Sequence, residues 1–243
     1  MAQNIYDDDE FFVAYSQLRR SVEGLDGAPE WPTLQAMLPP MAGRRVVDLG
    51  CGYGWFSRWA VSAGAASVLG IDLSEKMLAR AATVTPDDRI TYRRQDLDDV
   101  ELPADEFDVA YSSLALHYLA DLDRIVSTVH RSLAAGGMFV FSIEHPIYSS
   151  PTHPEFVTDG SGNLTWPLDR YQIEGLRTND WLAPGVQKYH RTIGTYISSL
   201  LRAGFALEHL CEWAPTAEQI ADNPEWIVEL ERPQFLLVGA QRV

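Results

Sequence analysis

Lysine and cysteine are scarce in this 243-residue sequence, and each shortage excludes a class of protein. Lys76 and Lys188 are the only lysines, and 34 acidic residues outnumber 19 basic ones, for a formal charge of -15. Because binding to phosphate backbones needs clustered basic side chains, the sequence argues against DNA or RNA as a partner. Cys51 and Cys211 are too few for a disulfide framework, which indicates a reducing, cytoplasmic location.

The sequence also lacks a long hydrophobic run and a secretion signal. No apolar stretch approaches the roughly 20 residues that cross a bilayer, so a membrane partner is not expected. Residues 1–10 are acidic and have neither the basic nor the apolar region of a signal peptide. No spacing of histidines, cysteines or carboxylates resembles a metal site, so no metal is expected. The mixture of 46% hydrophobic and 22% charged residues predicts one globular domain with a substantial core.

A glycine-rich stretch from Val46 to Gly54 is the clearest local pattern. Residues 44–49 predict a short buried strand, three glycines follow at alternate positions, and residues 55–63 predict a helix. A strand, a glycine turn and a helix in that order are typical of a nucleotide-binding site, because glycine permits a sharp turn and the close approach of a ligand.

Strands and helices alternate through the middle of the chain. Further strands are predicted at residues 67–72, 89–94, 107–112 and 138–143, and helices at 74–82 and 121–133. Short connections between such elements predict an α/β fold, with a doubly wound parallel sheet covered by helices on both faces. Ligands of such sheets bind at the carboxyl ends of the strands. Carboxylates occupy four of these ends: Asp48, Asp72, Asp96 and Glu144.

Residues 146–188 interrupt this alternation with several prolines and aromatic residues. The segment is too long for a plain connection, so it predicts an inserted cap over the carboxyl ends of the strands. Aromatic surface for covering a small ligand comes from Trp166, Tyr171, Trp181 and Tyr189. Beyond the cap, a helix is predicted at 192–203, a strand at 205–213, a helix at 217–229 and a last strand at 233–243.

Residues 7–22 predict one helix near the N-terminus. An acidic start suits a helix N-terminus, and Phe11, Tyr15, Leu18 and Val22 recur at helical spacing. Two interpretations stay open: the helix packs on the edge of the domain, or it folds over a bound ligand as a lid. In the second interpretation Tyr15 and Arg19, four residues apart, contact the anionic end of that ligand.

Four motifs in register resemble the class I S-adenosylmethionine-dependent methyltransferases. They are VVDLGCGYG at 46–54, GIDLS at 70–74, RQDL at 94–97 and FDVAYS at 107–112, followed by paired glycines within 133–141. The resemblance implies a Rossmann-like, seven-stranded, mostly parallel sheet whose last strand is antiparallel. It also implies S-adenosylmethionine as the cofactor. The predicted single domain comprises a helical lid (1–41), a cofactor-binding core (42–144), a cap after the fifth strand (145–190) and the C-terminal part of the sheet (191–243).

The resemblance implies roles for particular residues. Gly50 and Gly52 would let the backbone approach the methionine part of the cofactor, and Asp48 would orient that turn or accept a hydrogen bond from the ammonium group. Asp72 would bind both ribose hydroxyls, and Asp96 would accept from the adenine amine. The other predicted cofactor contacts are Tyr15, Arg19, Cys51, Leu73, Met77, Gln95, Leu97, Ser112 and Leu114.

Two alternatives are an NAD-dependent oxidoreductase and a non-catalytic S-adenosylmethionine-binding protein. The NAD fingerprint has its third glycine where this chain has Trp55, and it prefers an apolar residue at the position of Asp48. The long aromatic insertion predicts a second ligand, which favours an enzyme over a protein that only binds the cofactor.

Methyl transfer is an in-line displacement that mainly requires alignment of the acceptor and exclusion of water. A general base is needed only when the acceptor must lose a proton. His117, His145 and His190 are the candidates, with His145 and His190 expected to face the methyl group from the sheet and from the cap. The expected acceptor is a small molecule, with an oxygen or nitrogen nucleophile. In the competing account, the cap aromatics form a homodimer contact.

Overall fold

A computed structural model describes residues 3–84 and 86–243, so the predicted lid begins two residues outside the described part. The strands are β1 (Arg45–Leu49), β2 (Ser67–Asp72), β3 (Ile90–Arg94), β4 (Phe107–Ser113), β5 (Leu133–Glu144), β6 (Val157–Thr158), β7 (Leu164–Thr165), β8 (Gly175–Trp181), β9 (Ala183–His190), β10 (Phe205–Trp213) and β11 (Phe235–Arg242). The helices are α1 (Asp9–Ser16), α2 (Arg19–Val22), α3 (Trp31–Met37), α4 (Trp55–Ser62), α5 (Glu75–Val84), α6 (Leu122–Ser132), α7 (Pro146–Ser149), α8 (Ile193–Ala203) and α9 (Ala217–Asp222).

Seven strands form one sheet in the order β10-β11-β5-β4-β1-β2-β3. The five strands from β5 to β3 run parallel to one another, whereas β11 is antiparallel to both of its neighbours, β5 and β10. The predicted doubly wound sheet with an antiparallel last strand is therefore confirmed. Because the parallel strands all end at one edge, their carboxyl ends bring residues from distant parts of the chain together.

Different helices cover the two faces of the sheet. α6 and α8 contribute to one buried cluster, and α3 and α4 contribute to the other. Neighbouring residues of a strand point to opposite faces, so Val46 lies in one cluster and Val47 in the other. Each fully buried aliphatic or aromatic side chain stabilises the fold by roughly 1.5–3 kcal/mol. The two clusters thereby fix the sheet edge that carries the strand-end carboxylates.

The N-terminal segment forms two helices, and the prediction of one helix over residues 7–22 is wrong. Asp8 caps α1 by accepting a hydrogen bond from the N–H of Phe11 at 2.9 Å, and the Phe11 side chain is fully buried as expected. Leu18 has an extended backbone between α1 and α2, which interrupts the helical periodicity. As a result Val22 is 60% exposed and does not join the apolar face.

The C-terminal helix is also shorter than predicted. α9 ends at Asp222, and a 3-10 turn at Pro224–Leu230 follows it, because proline has no N–H with which to continue the helix. The remaining predicted elements agree within a residue or two, except that β5 begins at Leu133. None of the helices in the described residues has the length and apolar character needed to cross a membrane.

The segment between β5 and α8 forms a cap of α7 and two small hairpins. β6 pairs with β7, and β8 pairs with β9, in separate two-stranded sheets. The last hairpin returns the chain from the cap to α8, where Thr192 caps the helix by accepting from the N–H of Thr195. This placement agrees with an insertion beyond the carboxyl end of β5.

Candidate active site

Two adjoining cavities lie where the parallel strands end, one of about 500 Å³ and one of about 110 Å³. We call them the large and the small cavity. They share six lining residues: Tyr6, Tyr15, Gly50, Gly52, Ser113 and Tyr118. These shared residues mark the junction at which one cavity opens toward the other.

The glycine turn after β1 forms one wall of this junction. The N–H groups of Gly50 and Cys51 donate to the carbonyl oxygen of Ile71 at 2.8 and 3.0 Å, which fastens the turn to β2. Gly50 has φ of +74°, and a Cβ built on it would lie 2.4 Å from the Cβ of Ala115. A Cβ on Gly52 would meet no atom within 4 Å. The turn is thus tightly packed at Gly50 and open toward the cavities at Gly52.

Asp72 presents a carboxylate to the small cavity from the end of β2. Its oxygens accept hydrogen bonds from the backbone N–H groups of Gly52 at 2.8 Å and Ser74 at 2.9 Å. Burial raises the pKa of Asp72, and these two N–H donors oppose that rise. Four other predicted cofactor residues line the small cavity and not the large one: Leu73, Met77, Asp96 and Leu97.

Asp48 and Cys51 line the large cavity. The Asp48 carboxylate is buried and accepts a hydrogen bond from the Ser57 hydroxyl at 2.7 Å, which links β1 to α4. Burial raises the pKa of Asp48 to about 7. Burial likewise raises the pKa of the Cys51 thiol well above its usual value, so this thiol stays protonated at neutral pH.

The first described residues and α1 form a strap (residues 3–16) across the two cavities. Tyr6 and Tyr15 of the strap line both of them. The Asp7 carboxylate accepts hydrogen bonds at the N-terminus of α5, from the Ser74 hydroxyl at 2.5 Å and the Lys76 N–H at 3.1 Å. At its other end, the Gln3 amide bonds to the backbone of β9, with contacts of 2.9 and 3.0 Å. The strap therefore joins the start of α5 to the cap.

Tyr15 and Arg19 both line the large cavity, but only Tyr15 also lines the small one, so their joint contact with a ligand stays a prediction. The break before α2 leaves the Arg19 side chain half exposed beside the large cavity, where it pairs with Glu23 at 2.9 Å. Arg20 lies deeper: its guanidinium bonds to both oxygens of the buried Glu30, at 2.9 and 3.1 Å. No signal in the sequence predicts that Arg20 and not Arg19 is buried, because no glycine or proline marks the break at residues 17–18.

Two further predicted cofactor residues lie elsewhere. The fully buried Ser112 donates to the carbonyl oxygen of Leu49 at 2.8 Å and ties β4 to β1, whereas Ser113 lines both cavities. Gln95 lies outside both cavities, where its amide donates to the backbone of the next turn. Leu114 does line the large cavity, with φ of +53° and its N–H bonded to β5.

Only one of the three predicted catalytic histidines lines a cavity. His117 is buried in the wall of the large cavity, and its Nδ1 accepts the N–H of Glu144 at 3.3 Å. Burial lowers the pKa of His117 to about 4, so the ring is neutral at pH 7. With Nδ1 accepting, the neutral ring carries its proton on Nε2 and acts as a donor.

His145 and His190 do not face the large cavity, and their predicted placement is wrong. The Nδ1 of His145 caps α7, and its Nε2 lies 2.9 Å from Glu212 Oε1. His190 lies between the Ser149 hydroxyl, 3.0 Å from its Nδ1, and the carbonyl oxygen of Tyr171, 2.9 Å from its Nε2. Both nitrogens of each ring are therefore engaged within the cap and its contact with β10.

The cap contributes Trp181 and Tyr148 to the wall of the large cavity. The other aromatic residues predicted to cover an acceptor, Trp166, Tyr171 and Tyr189, lie outside that wall. Trp166 stacks on Tyr148 with ring centroids 5.6 Å apart. The Arg232 guanidinium lies over the rings of both, at 4.5 and 4.6 Å. Most of the cap aromatics thus hold the cap together.

Sequence reasoning missed a buried ion pair between the sheet and the cap. Lys188 of β9 donates to Glu144 Oε1 at the end of β5, at 2.5 Å. Its ammonium lies 4.6 Å from the ring centroid of Trp181 and 5.7 Å from that of Tyr118. A readable signal existed: Val186, Lys188 and His190 alternate along one strand, and a lysine on a buried face requires a partner.

Comparisons with known proteins agree with this geometry. A family model described as a methyltransferase domain matches residues 47–141, from the glycine turn to β5. An S-adenosylmethionine-dependent methyltransferase from Mesorhizobium loti, known from a crystal structure, is 60% identical; the match covers 90% of this chain and 100% of that one, with a TM-score of 0.88. The chain belongs to the S-adenosylmethionine-dependent methyltransferases. This membership confirms the predicted family and cofactor and excludes the alternative of an NAD-dependent oxidoreductase.

Two other relatives extend over nearly the whole methyltransferase. The crystal structure of a proposed S-adenosylmethionine-dependent methyltransferase from Listeria monocytogenes is 42% identical and covers 89% of this chain and 99% of that one, with a TM-score of 0.81. An uncharacterized protein of Haemophilus influenzae is 34% identical over 252 residues, which are 99% of this chain and 97% of that protein.

For relatives whose names state a methyl acceptor, the match covers a smaller share of the relative's own length. A malonyl-[acyl-carrier protein] O-methyltransferase from Pectobacterium atrosepticum is 36% identical over 45% of this chain and 42% of its own. A tRNA U34 carboxymethyltransferase from Methylococcus capsulatus is 28% identical over 82% of this chain and 56% of its own. The named acceptors differ between these relatives, so the acceptor of this chain has to be inferred from the residues of the large cavity.

Proposed function

We propose that this methyltransferase transfers the methyl group of S-adenosylmethionine to a small molecule bound in the large cavity. The observation that carries the proposal is the wall of that cavity, which combines the strap, the cap and the strand ends around about 500 Å³. Cavities of roughly 300–1,000 Å³ with apolar and aromatic walls are typical of small-molecule sites. The aromatic residues of this wall are Tyr6, Tyr15, Tyr53, Trp55, Phe56, Tyr111, Tyr118, Tyr148, Trp181, Trp213, Trp226 and Phe235.

The residues of the small cavity fit the adenosine part of the cofactor. The Asp72 carboxylate has about four lone-pair sites and uses two for backbone N–H groups, which leaves capacity for two ribose hydroxyls. In this proposal Asp96 accepts from the adenine amine, and Leu73, Met77 and Leu97 pack against the ring. The open side of Gly52 lets the cofactor approach the backbone.

The junction residues fit the methionine part. Gly50 and Ser113 contribute backbone to the wall of the junction. From there the wall continues into the large cavity with Asp48, Cys51 and Leu114. When bound, S-adenosylmethionine supplies a methyl group that its sulfonium already activates. The protein then has to align the acceptor and exclude water, and Tyr6, Tyr15 and Tyr118 enclose the junction for that purpose.

The charge of the site supports a small molecule over the RNA acceptor named for one relative. The two arginines of the large cavity are already paired, Arg19 with Glu23 and Arg20 with Glu30. With a formal charge of -15 and these arginines neutralised, the chain has little to offer a phosphate backbone.

Transfer of labelled methyl groups tests this proposal directly. The protein and methyl-labelled S-adenosylmethionine are incubated with an extract of the source cells, which is then separated into low-mass, protein and RNA fractions. We expect label in the low-mass fraction and its loss with the Asp72→Asn variant. Label that precipitates with RNA and is released by ribonuclease would instead identify a nucleic-acid acceptor.

A further inference from the structure

Glu144 stands at the wall of the large cavity with one carboxylate oxygen unused. Oε1 accepts from Lys188 Nζ at 2.5 Å, whereas Oε2 is buried and has no hydrogen-bond partner among residues 3–84 and 86–243. The two side chains are only 14% and 5% exposed, respectively. An unpaired oxygen in such a place is costly, so a ligand that donates to it gains binding energy.

The position of Glu144 puts this oxygen on the acceptor side of the junction. Its backbone N–H binds His117, and its partner Lys188 lies over the ring of Tyr118, a residue that lines both cavities. Glu144 itself lines only the large cavity. It is therefore adjacent to the place where the methyl group leaves the cofactor site.

The other two carboxylates of the large cavity already have partners. The Asp48 carboxylate accepts from Ser57 at 2.7 Å, and Glu229 pairs with Arg232 at 2.5 Å. The Nε2 of neutral His117 carries a proton and cannot accept one. Burial on its own would raise the pKa of Glu144, but the charged Lys188 outweighs burial and holds the pKa below its usual value. The carboxylate is ionised at neutral pH.

We propose that Glu144 Oε2 accepts a hydrogen bond from the nucleophilic N–H or O–H of the methyl acceptor. This inference rests on the proposed function and deepens it, because it names the acceptor group as a hydrogen-bond donor. A carboxylate acceptor would bring a like charge against Glu144 and is disfavoured.

The chemistry of methyl transfer explains why a carboxylate beside the acceptor atom would favour the reaction. A lone pair of the acceptor forms the bond to the methyl carbon, the carbon–sulfur bond breaks with its electron pair going to sulfur, and the positive charge moves to the acceptor atom. Glu144 Oε2 stabilises that charge and takes the proton that the acceptor loses, which then passes to solvent. A fixed negative group at the atom where positive charge develops lowers the barrier.

A pair of cofactor analogues tests the geometry without knowledge of the acceptor. In sinefungin an amine-bearing carbon replaces the methylated sulfur, so its ammonium group projects where the transferred methyl would lie. S-adenosylhomocysteine lacks that group. The ratio of the two dissociation constants, measured by calorimetry, reports the attraction between that ammonium group and the Glu144 carboxylate. Loss of one such charge attraction changes affinity by roughly tenfold, so Glu144→Gln is expected to reduce the preference for sinefungin by about that factor.

Controls separate the outcomes. Asp99→Asn removes an exposed carboxylate outside both cavities and should leave the ratio unchanged. Because Glu144→Gln strands Lys188, the double variant Glu144→Gln/Lys188→Met repeats the test without a buried unpaired charge. An unchanged ratio in either Glu144 variant overturns the inference, as does loss of S-adenosylhomocysteine binding in both. Failure of the unaltered protein to bind S-adenosylhomocysteine contradicts the cofactor-site assignment instead.

Discussion

Asp72 shows how one side chain organises both the protein and its ligand. Its carboxylate fixes the glycine turn and the start of α5 through two N–H groups, at 2.8 and 2.9 Å. Asp72→Asn keeps the size but replaces one acceptor oxygen by a donor. We expect affinity for S-adenosylhomocysteine to fall roughly tenfold or more, since each unpaired polar group costs about 1–3 kcal/mol. Calorimetry measures the change, with the exposed Asp99→Asn as the control; equal affinities for the two variants would contradict the assignment.

The buried Asp48 should make stability depend on pH. Its pKa is raised by burial to about 7, against about 3.9 in the unfolded chain. Between these values the folded state holds a proton that the unfolded state releases, so this contribution is complete below about pH 4 and is lost as pH rises through 7. Asp48→Asn cannot titrate.

Denaturation in urea, without cofactor, measures this dependence. The free energy of unfolding of the native protein, minus that of Asp48→Asn, should fall by up to about 4 kcal/mol between pH 4 and pH 8. The opposite contribution of His117, whose pKa is lowered, is present in both proteins and cancels. A difference that stays constant over this range would mean that Asp48 titrates normally.

For single residues, sequence reasoning predicted which side chains line the cavities where this follows from backbone position, and it failed where this depends on side-chain direction. The positions of Asp48, Asp72 and Asp96 were predictable because each lies at the end of a strand that a sequence motif defines. Glu144 and His145 are adjacent at the end of β5, and adjacent residues of an extended chain point to opposite sides. Only one could face the cavity, and no pattern in the sequence selects it. His145 precedes a proline and caps α7, which in retrospect is a signal for a structural role.

The strap is the element whose behaviour is most open to test. Asp7 accepts hydrogen bonds from the first turn of α5, where a carboxylate also interacts favourably with the helix dipole. Asp7→Ala should release the strap from α5 and weaken S-adenosylhomocysteine binding roughly tenfold, because the closed arrangement becomes less populated. The melting temperature without cofactor should change little.

Asp9→Ala provides a matched control. Asp9 lies two residues away on the same strap, but its exposed carboxylate pairs with the side chain of Lys76 and not with the backbone of α5 in the described part of the chain. Its removal should leave affinity nearly unchanged. If the two variants bound S-adenosylhomocysteine equally well, the strap would be edge packing, the alternative that the sequence leaves open.

The elements themselves were largely predictable because their patterns are local. Buried strands, capped helices and glycine turns are each encoded within a few residues. The break between α1 and α2 was not predictable, since no glycine or proline marks the extended backbone of Leu18. The interior of the cap was also hidden, because the contacts of Arg232 with Tyr148 and Trp166 join distant parts of the chain.

For the whole molecule, the excess of acidic groups should appear as a salt dependence. The acidic side chains that give the formal charge of -15 repel one another in the folded state, and salt screens that repulsion. The screening length falls from about 30 Å at 0.01 M to about 10 Å at 0.1 M. We therefore expect the melting temperature at pH 8 to rise as sodium chloride increases over this range. Near the isoelectric point of about 4.7 the rise should vanish, and an equal rise there would contradict the explanation.

The strap also constrains the order of events in a catalytic cycle. Residues that wall the small cavity belong to the same segment as those that wall the large one, and Gln3 fastens that segment to β9. A cofactor that binds beneath a seated strap cannot exchange until the strap lifts, and lifting it opens the acceptor side as well. We therefore expect compulsory-order turnover, in which S-adenosylmethionine enters first and S-adenosylhomocysteine leaves last. Because each methyl transfer would require one opening of the strap, we expect release of the spent cofactor to limit the rate.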